Sequence, residues 1–182
     1  MEKALVILAP GFEEIEAVTI IDLLRRGKID VTVAGLELDS VTGSHQISII
    51  PDAYYLDVDP DEFDVLILPG GQPGSNNLKE NRNIINWVNS RFKSGKKLAA
   101  ICSAPVVFHA TGIAKGMKLT SYPTDKGIFT DSVYLEERVV RDGQIITSRG
   151  VGTAIDFSLA IISDLKGKEE AGEVAARILY KV

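Results

Sequence analysis

The chain has 182 residues, 45% hydrophobic and 25% charged, with a formal net charge of −5 and one cysteine, Cys102. The length suffices to bury roughly 70% of the unfolded surface without staples, so a single domain over 1–182 is expected. The acidic balance, with no basic run, excludes a nucleic-acid or anionic-membrane surface, and a lone cysteine excludes an internal disulfide or a cysteine-rich zinc site.

Residues 3–9 form a first apolar strand, stopped by Pro10-Gly11. The short apolar start is not a signal peptide, because Pro10, Gly11 and four acidic residues up to Asp22 follow it. No apolar run approaches the roughly 18 residues needed to span a bilayer, and a cytoplasmic address is expected. The spacing of Ala17, Ile20, Ile21 and Leu24 predicts a helix over 14–26, closed by Gly27. Glu13, Glu14 and Glu16 crowd its first turn, where negative charge complements the helix end. Periodicity alone leaves open which of them points into the sheet edge.

A second strand covers 30–36, and 41–51 reads as a hairpin turning at Thr42-Gly43-Ser44. After a polar connection over 57–64 comes a buried strand, Val65-Leu66-Ile67-Leu68, and then Pro69-Gly70-Gly71-Gln72-Pro73-Gly74. A helix is predicted over 81–93, then a strand ending at Cys102 and a helix to about Ala110 with Pro105 in its first turn. Lys118-Leu119-Thr120 is a short strand, 121–131 is irregular, and 139–147 carries a hairpin around Asp142-Gly143. Thr153 and Asp156 have the spacing of a capping box for a helix that is apolar nearly all round. An amphipathic helix over 169–181 closes the chain.

Apolar strands alternating with helices predict an α/β fold, a mostly parallel sheet with helices on both faces. In such a sheet the site lies beyond the carboxyl ends of the strands, at the topological switch point. Three of those ends carry unusual residues: the Glu-rich turn after residue 9, Gly70-Gly71 after residue 68, and Cys102.

Cys102 falls at a sharp strand-to-helix corner, a thiol version of the nucleophile elbow. Backbone N–H groups aimed at the sulfur are expected to favour thiolate, the reactive form. Gly70-Gly71 permits close backbone approach from the neighbouring strand, and the N–H groups of Gly71 and Ser103 form a candidate oxyanion hole. A nucleophile normally needs a base, and neither histidine is well placed. His109 lies two helical turns on and reads as structural, while His45 sits in the hairpin loop and reaches the pocket only from elsewhere in the fold or from a second subunit. An ionised glutamate beside Cys102 would raise the thiol pKa, whereas a buried protonated one donates a hydrogen bond to the thiolate and later passes its proton to substrate.

Pro69-Gly70-Gly71-Gln72-Pro73-Gly74 lacks the Lys-Ser/Thr ending of a P-loop and the spacing of a dinucleotide site. Arg149-Gly150-Val151-Gly152 reads as a helix-entry turn rather than an anion clamp. No metal-ligand cluster is visible, and neither a metal nor a cofactor is expected.

The chain resembles the ThiJ/PfpI superfamily, in the branch that holds the parkinsonism-associated deglycase (DJ-one) and bacterial YajL. The resemblance covers essentially the whole chain and rests on 4–11 with Glu13-Glu14-Ile15-Glu16, on 31–34, on Leu68-Pro69-Gly70-Gly71, on Ala99 to Pro105, on 147–150 and on 152–157. It implies a flavodoxin-like (class I glutamine-amidotransferase-like) three-layer sandwich with a nucleophile elbow, commonly a homodimer with its active sites near the interface. By the same resemblance Cys102 is the nucleophilic, oxidation-prone cysteine, Glu16 its protonated glutamate, and Gly71 and Ser103 the amide donors. Ser103 stands where the protease-like and chaperone-glyoxalase branches carry histidine, which argues against a peptidase. Tyr122 stands where human-type members place a histidine, which leaves a third catalytic partner open; YajL-like proteins also carry an aromatic there, which implies a residue that shapes the pocket. The implied activity is cofactor-independent deglycase or glyoxalase chemistry on methylglyoxal-derived adducts of thiols and amines, releasing lactate. The implied alternative is a redox sensor or stress-protective chaperone acting through oxidation of Cys102.

Overall fold

The structure, a computed structural model, describes residues 1–181. Its elements in chain order are β1 (Lys3–Leu8), α1 (Glu14–Arg26), β2 (Asp30–Gly35), β3 (Val41–Thr42), β4 (Ser48–Ile49), β5 (Ala53–Tyr54), β6 (Val65–Leu68), α2 (Gly74–Glu80), α3 (Arg82–Lys93), β7 (Lys97–Ile101), α4 (Val106–Ala110), β8 (Lys118–Leu119), β9 (Val133–Tyr134), β10 (Val139–Asp142), β11 (Ile145–Ser148), α5 (Ala154–Lys166) and α6 (Lys168–Arg177). Seven strands make the main sheet in the order β10-β11-β7-β6-β1-β2-β5, and β10 alone runs antiparallel to its neighbour.

The period of two along each strand sorts the core into two layers. Ala4, Val6 and Leu8 of β1 face one side with Ile67, Ala99 and Ile101, where α1, α5 and α6 supply Ile20, Phe157, Ile161 and Val174. Leu5 and Ile7 face the other side with Leu66, Leu68 and Leu98, covered by Leu78, Ile84, Val88 and Phe108 of α2, α3 and α4. A sheet buried on both faces accounts for the unbroken apolar runs of β1 and β6. This is the flavodoxin-like three-layer architecture. Among the described residues, no helix is long and apolar enough to cross a membrane.

The chain passes from β1 outward to β2 and then returns to the other side of β1 to lay down β6. The switch point therefore lies between β1 and β6. The turns leaving β1, β6 and β7 are neighbours along one edge.

Several local expectations are corrected. The segment before 81 is helical: α2 and α3 abut at Asn81, whose side chain accepts from the N–H groups of Asn83 and Ile84 and starts α3 afresh. The hairpin turn is longer than Thr42-Gly43-Ser44, since Thr42 pairs with Ser48. A 3₁₀ helix over Pro123–Ile128 occupies the stretch read as irregular. The last helix stops at Arg177. No capping box forms between Thr153 and Asp156, because each side chain has another partner. Thr153 Oγ1 turns back to Ser148 and Gly150, and Asp156 is taken by Arg138 and Tyr180. Helix α5 is buried on one face only, with Ile155, Leu159 and Ala160 partly exposed.

Candidate active site

β7 runs into Cys102, whose φ of 63° lies in the left-handed region. A non-glycine residue held there costs on the order of 1–3 kcal/mol and persists only where its surroundings over-determine it. They do so here. The Cys102 N–H donates to the Ser148 carbonyl at 3.0 Å, and the Cys102 carbonyl accepts from the Tyr122 N–H at 2.6 Å. The chain then turns through 103–105, with the Ala104 N–H returning to the Ile101 carbonyl, before α4 begins. Pro105 thus precedes α4 as its cap residue rather than lying in its first turn.

The three glutamates after β1 have three separate tasks. Glu13 caps α1, its Oε2 accepting from the Glu16 N–H at 2.7 Å. Glu14 turns to the β3–β4 loop, where its carboxylate accepts from the N–H groups of His45 (2.6 Å) and Ile47 (3.4 Å). Glu16, with no solvent exposure, points into the sheet edge and accepts from the Gly70 N–H at 2.9 Å through Oε2. Its other oxygen, Oε1, is buried without a protein partner of conventional geometry and faces Cys102.

Burial pushes the Glu16 carboxyl up to about 7, opposed by the Gly70 N–H and the Cys102 contact and reinforced by the charge of Glu13. The Cys102 thiol is also pushed up, first by burial and then by the Glu16 charge, while the N–H groups of Ser103 and Gly71 pull it back. The expectation that the elbow alone favours thiolate is therefore corrected. Two amides do not outweigh desolvation and a neighbouring carboxylate. The pair holds one negative charge comfortably and not two. When the proton resides on Glu16, repulsion becomes a donated hydrogen bond and the sulfur carries the charge.

Gly70 and Gly71 are required here for space. A Cβ on Gly70 would lie 2.8 Å from Glu16 Oε2, and Gly71, at φ 96°, would drive one to 2.3 Å from the Glu13 nitrogen. Ser103 contributes more than an amide. Its buried hydroxyl lies 2.7 Å from Ser75 Oγ and donates to the Gly71 carbonyl at 3.3 Å, which also accepts from the Ser75 N–H at 2.9 Å. These contacts fix the Gly71 residue whose own N–H reaches the sulfur. Ser75 was not singled out from the sequence, where it is one serine in a polar turn.

Cys102 opens onto a cleft of about 500 Å³ walled by Tyr122, Arg138, Arg149 and Gly150. Tyr122 is 46% exposed and lines this cleft. His45 does not line the cleft of its own chain: its Nδ1 lies 3.0 Å from Glu14 Oε2, on the loop beside the α1 start. His109 packs edge-on against Phe129. The structure thus brings Cys102, Glu16, Gly70, Gly71, Ser103 and Tyr122 together and leaves His45 outside. Glu13, Glu14 and His45 each bring one potential ligand atom to within 4.8 Å of the others, a metal-type grouping that the sequence reading did not find. His45 lies 31 residues beyond Glu14 and meets the two adjacent glutamates only because the loop folds onto α1. The Glu14 oxygens are already taken by N–H and hydroxyl donors.

Known proteins share this sequence pattern and fold. The DJ-1/PfpI family profile matches residues 2–164. The chain is 45% identical over 181 residues to protein dj-1beta of Drosophila melanogaster, covering 98% of this chain and 97% of that one. It is 36% identical over 176 residues to a Caenorhabditis elegans protein named glutathione-independent glyoxalase DJR-1.2, covering 95% and 94%. The solved structure of oxidized Toxoplasma gondii DJ-1 superposes with a TM-score of 0.96 at 35% identity over all of both chains. By profile, by whole-chain similarity and by fold, this chain belongs to the DJ-1/PfpI family, in its DJ-1 branch.

Proposed function

We propose that the protein is a cysteine-dependent, cofactor-independent enzyme of the glyoxalase or deglycase type. Its substrates are small reactive carbonyl compounds such as methylglyoxal, free or as adducts on thiols and amines. The observation that carries this reading is the buried Glu16 carboxyl, with one oxygen on the Gly70 N–H and the other facing Cys102. The printed name of the nematode relative supports the same class of chemistry.

In this mechanism the Cys102 thiolate adds to the aldehyde carbon, and the resulting oxyanion is held by the N–H groups of Gly71 and Ser103. Glu16 moves the proton from that carbon to its neighbour by way of an enediol. The first carbon is thereby oxidised and the second reduced, so no external oxidant or reductant enters. The product is a lactyl thioester on Cys102. Water cleaves the C–S bond, lactate leaves, and one water is consumed per turnover. On adducts, the same attack at the hemithioacetal or aminocarbinol carbon frees the thiol or amine.

The assay is lactate formation from methylglyoxal and from a glycated thiol by wild type, Cys102→Ala and Glu16→Gln. Both variants are expected to lose turnover. Lactate formation unchanged in Cys102→Ala sinks the proposal.

A second reading, a redox sensor with stress-protective output, is supported by the free Cys102 and by a relative whose structure is described as oxidized. Mild peroxide followed by intact mass is expected to add two oxygens at Cys102 under that reading. Oxidation confined to methionine ends it. Assembly into a homodimer and a cytoplasmic address belong to the same proposal. The exposed apolar side chains Ile15 and Val18 on α1 and Val151 at the cleft support the dimer, and sedimentation tests it.

A further inference from the structure

The cleft over Cys102 has a cation that the proposed mechanism does not use. Three basic side chains stand at or near its walls, and two are neutralised. Arg138 pairs with Asp156 at 2.6 Å and donates to the Gly152 carbonyl, and Lys126 pairs with Glu136 at 2.7 Å. Among the described residues Arg149 forms no ion pair, Glu136 acting on it only at longer range while paired with Lys126, and its Nη1 is buried there without a hydrogen bond. An unpartnered buried N–H on a charged group is costly to leave unmade. Burial disfavours the charged form of Glu16, the carboxyl group beside the sulfur.

The backbone around Arg149 is rigid and registered on the sulfur. Ser148 accepts from the Cys102 N–H, and a Cβ on Gly150 would lie 3.8 Å from Cys102 Sγ. Thr153 Oγ1 accepts from the N–H groups of Arg149 and Gly150 at 3.2 and 3.1 Å. The turn read from sequence as a helix entry thus also places Arg149, which has no direct ion pair among the described residues, on the wall of the cleft. A guanidinium presents a planar fork of donors suited to carboxylate and phosphate oxygens.

We propose that Arg149 forms an anion subsite in the Cys102 cleft, so that this site takes carbonyl electrophiles bearing a carboxylate or phosphate group remote from the reacting carbon. The inference rests on the reading of Cys102 as the nucleophile facing this cleft. Neutral carbonyls would react there without using the subsite, whereas anionic ones would be oriented by it.

The test compares alkylation of Cys102 in the full chain by iodoacetate and by iodoacetamide, followed by intact mass. The two reagents share a leaving group and a reacting carbon and differ in the carboxylate. The iodoacetate-to-iodoacetamide rate ratio is expected to fall about tenfold or more in Arg149→Met, with Arg149→Lys between and the iodoacetamide rate within about twofold of wild type. Acetate and inorganic phosphate, added as competing ions, separate the two sources of the anionic group: protection by either supports the subsite, and protection by neither overturns it. A ratio unchanged in Arg149→Met also overturns it. If that change comes with an altered oligomeric state, Arg149 instead pairs with a second copy of the chain. Should Arg149→Met fail to fold, Arg149→Lys and Arg149→Gln carry the same comparison. A normal ratio effect without methylglyoxal turnover leaves the subsite standing and removes the enzymatic reading alone. A wild-type Cys102 inert to both reagents removes the nucleophile and the subsite together.

Discussion

Gly70 and Cys102 meet so closely that a Cβ on Gly70 would lie 2.5 Å from the Cβ of Cys102. The same absent side chain lets the Gly70 N–H reach Glu16 at 2.9 Å. One missing methyl group therefore sets the position of both members of the acid–thiol pair. Gly70→Ala is expected to displace Cys102 or Glu16, to destabilise the fold by about 1–3 kcal/mol as overpacking does, and to abolish rapid alkylation of the thiol. Chemical denaturation and thiol-labelling kinetics check the two effects separately.

Glu16 predicts a pH dependence of stability. Its carboxyl is raised from 4.5 to about 7, so the folded state binds the proton more tightly than the unfolded state. The stabilisation is full below pH 4.5, fades as pH rises, and is gone once pH passes about 7. The shift corresponds to on the order of 3 kcal/mol. Urea unfolding at pH 5 and pH 8 is expected to show this loss in wild type and a much flatter profile in Glu16→Gln. An equal pH dependence in the variant would place the effect elsewhere.

The Ser75–Ser103 hydroxyl pair positions Gly71 without touching substrate. Removing either hydroxyl is expected to cost less than deleting an oxyanion donor, which is worth about 2.7–4 kcal/mol. Ser75→Ala and Ser103→Ala should lower kcat with little change in KM. Because the Ser75 hydroxyl reaches the Gly71 carbonyl only through the Ser103 hydroxyl, the double variant should lose less than the sum of the two. A rise in KM alone, or full additivity, contradicts the positioning role.

Glu14 holds the loop after β3 through the N–H groups of His45 and Ile47. Glu14→Ala is expected to release this loop, at a cost of about 2 kcal/mol from lost charge-assisted hydrogen bonds. Amide hydrogen exchange at His45 and Ile47 should accelerate, while that of β1 stays protected. Unchanged exchange at residue 47 would show that Gly43 and the strand pair suffice.

Much of this molecule is legible in the order of its residues. The unbroken apolar runs of β1, β6 and β7 specify strands buried on both faces, and the helices between them impose a parallel sheet. The corner at Cys102 and the glycines at 70 and 71 follow from local backbone requirements, which are properties of short segments. The start of α5 is where the sequence places it, but its capping contacts are not, because Thr153 bonds to Ser148 and Asp156 to Arg138 instead.

What only the tertiary structure decides is which polar groups meet and which are left alone. Glu13, Glu14 and Glu16 are equivalent in a helix-start pattern, yet their roles follow from Gly70 and Cys102 lying across the switch point on one and a loop folding onto another. The charge state of the Cys102–Glu16 pair depends on burial, which no spacing rule reports. That Arg149 lacks an ion pair among the described residues is likewise a matter of which carboxylates the fold delivers to its neighbours, Asp156 to Arg138 and Glu136 to Lys126. Electrostatics and desolvation act through space, so they emerge only when the chain has closed on itself.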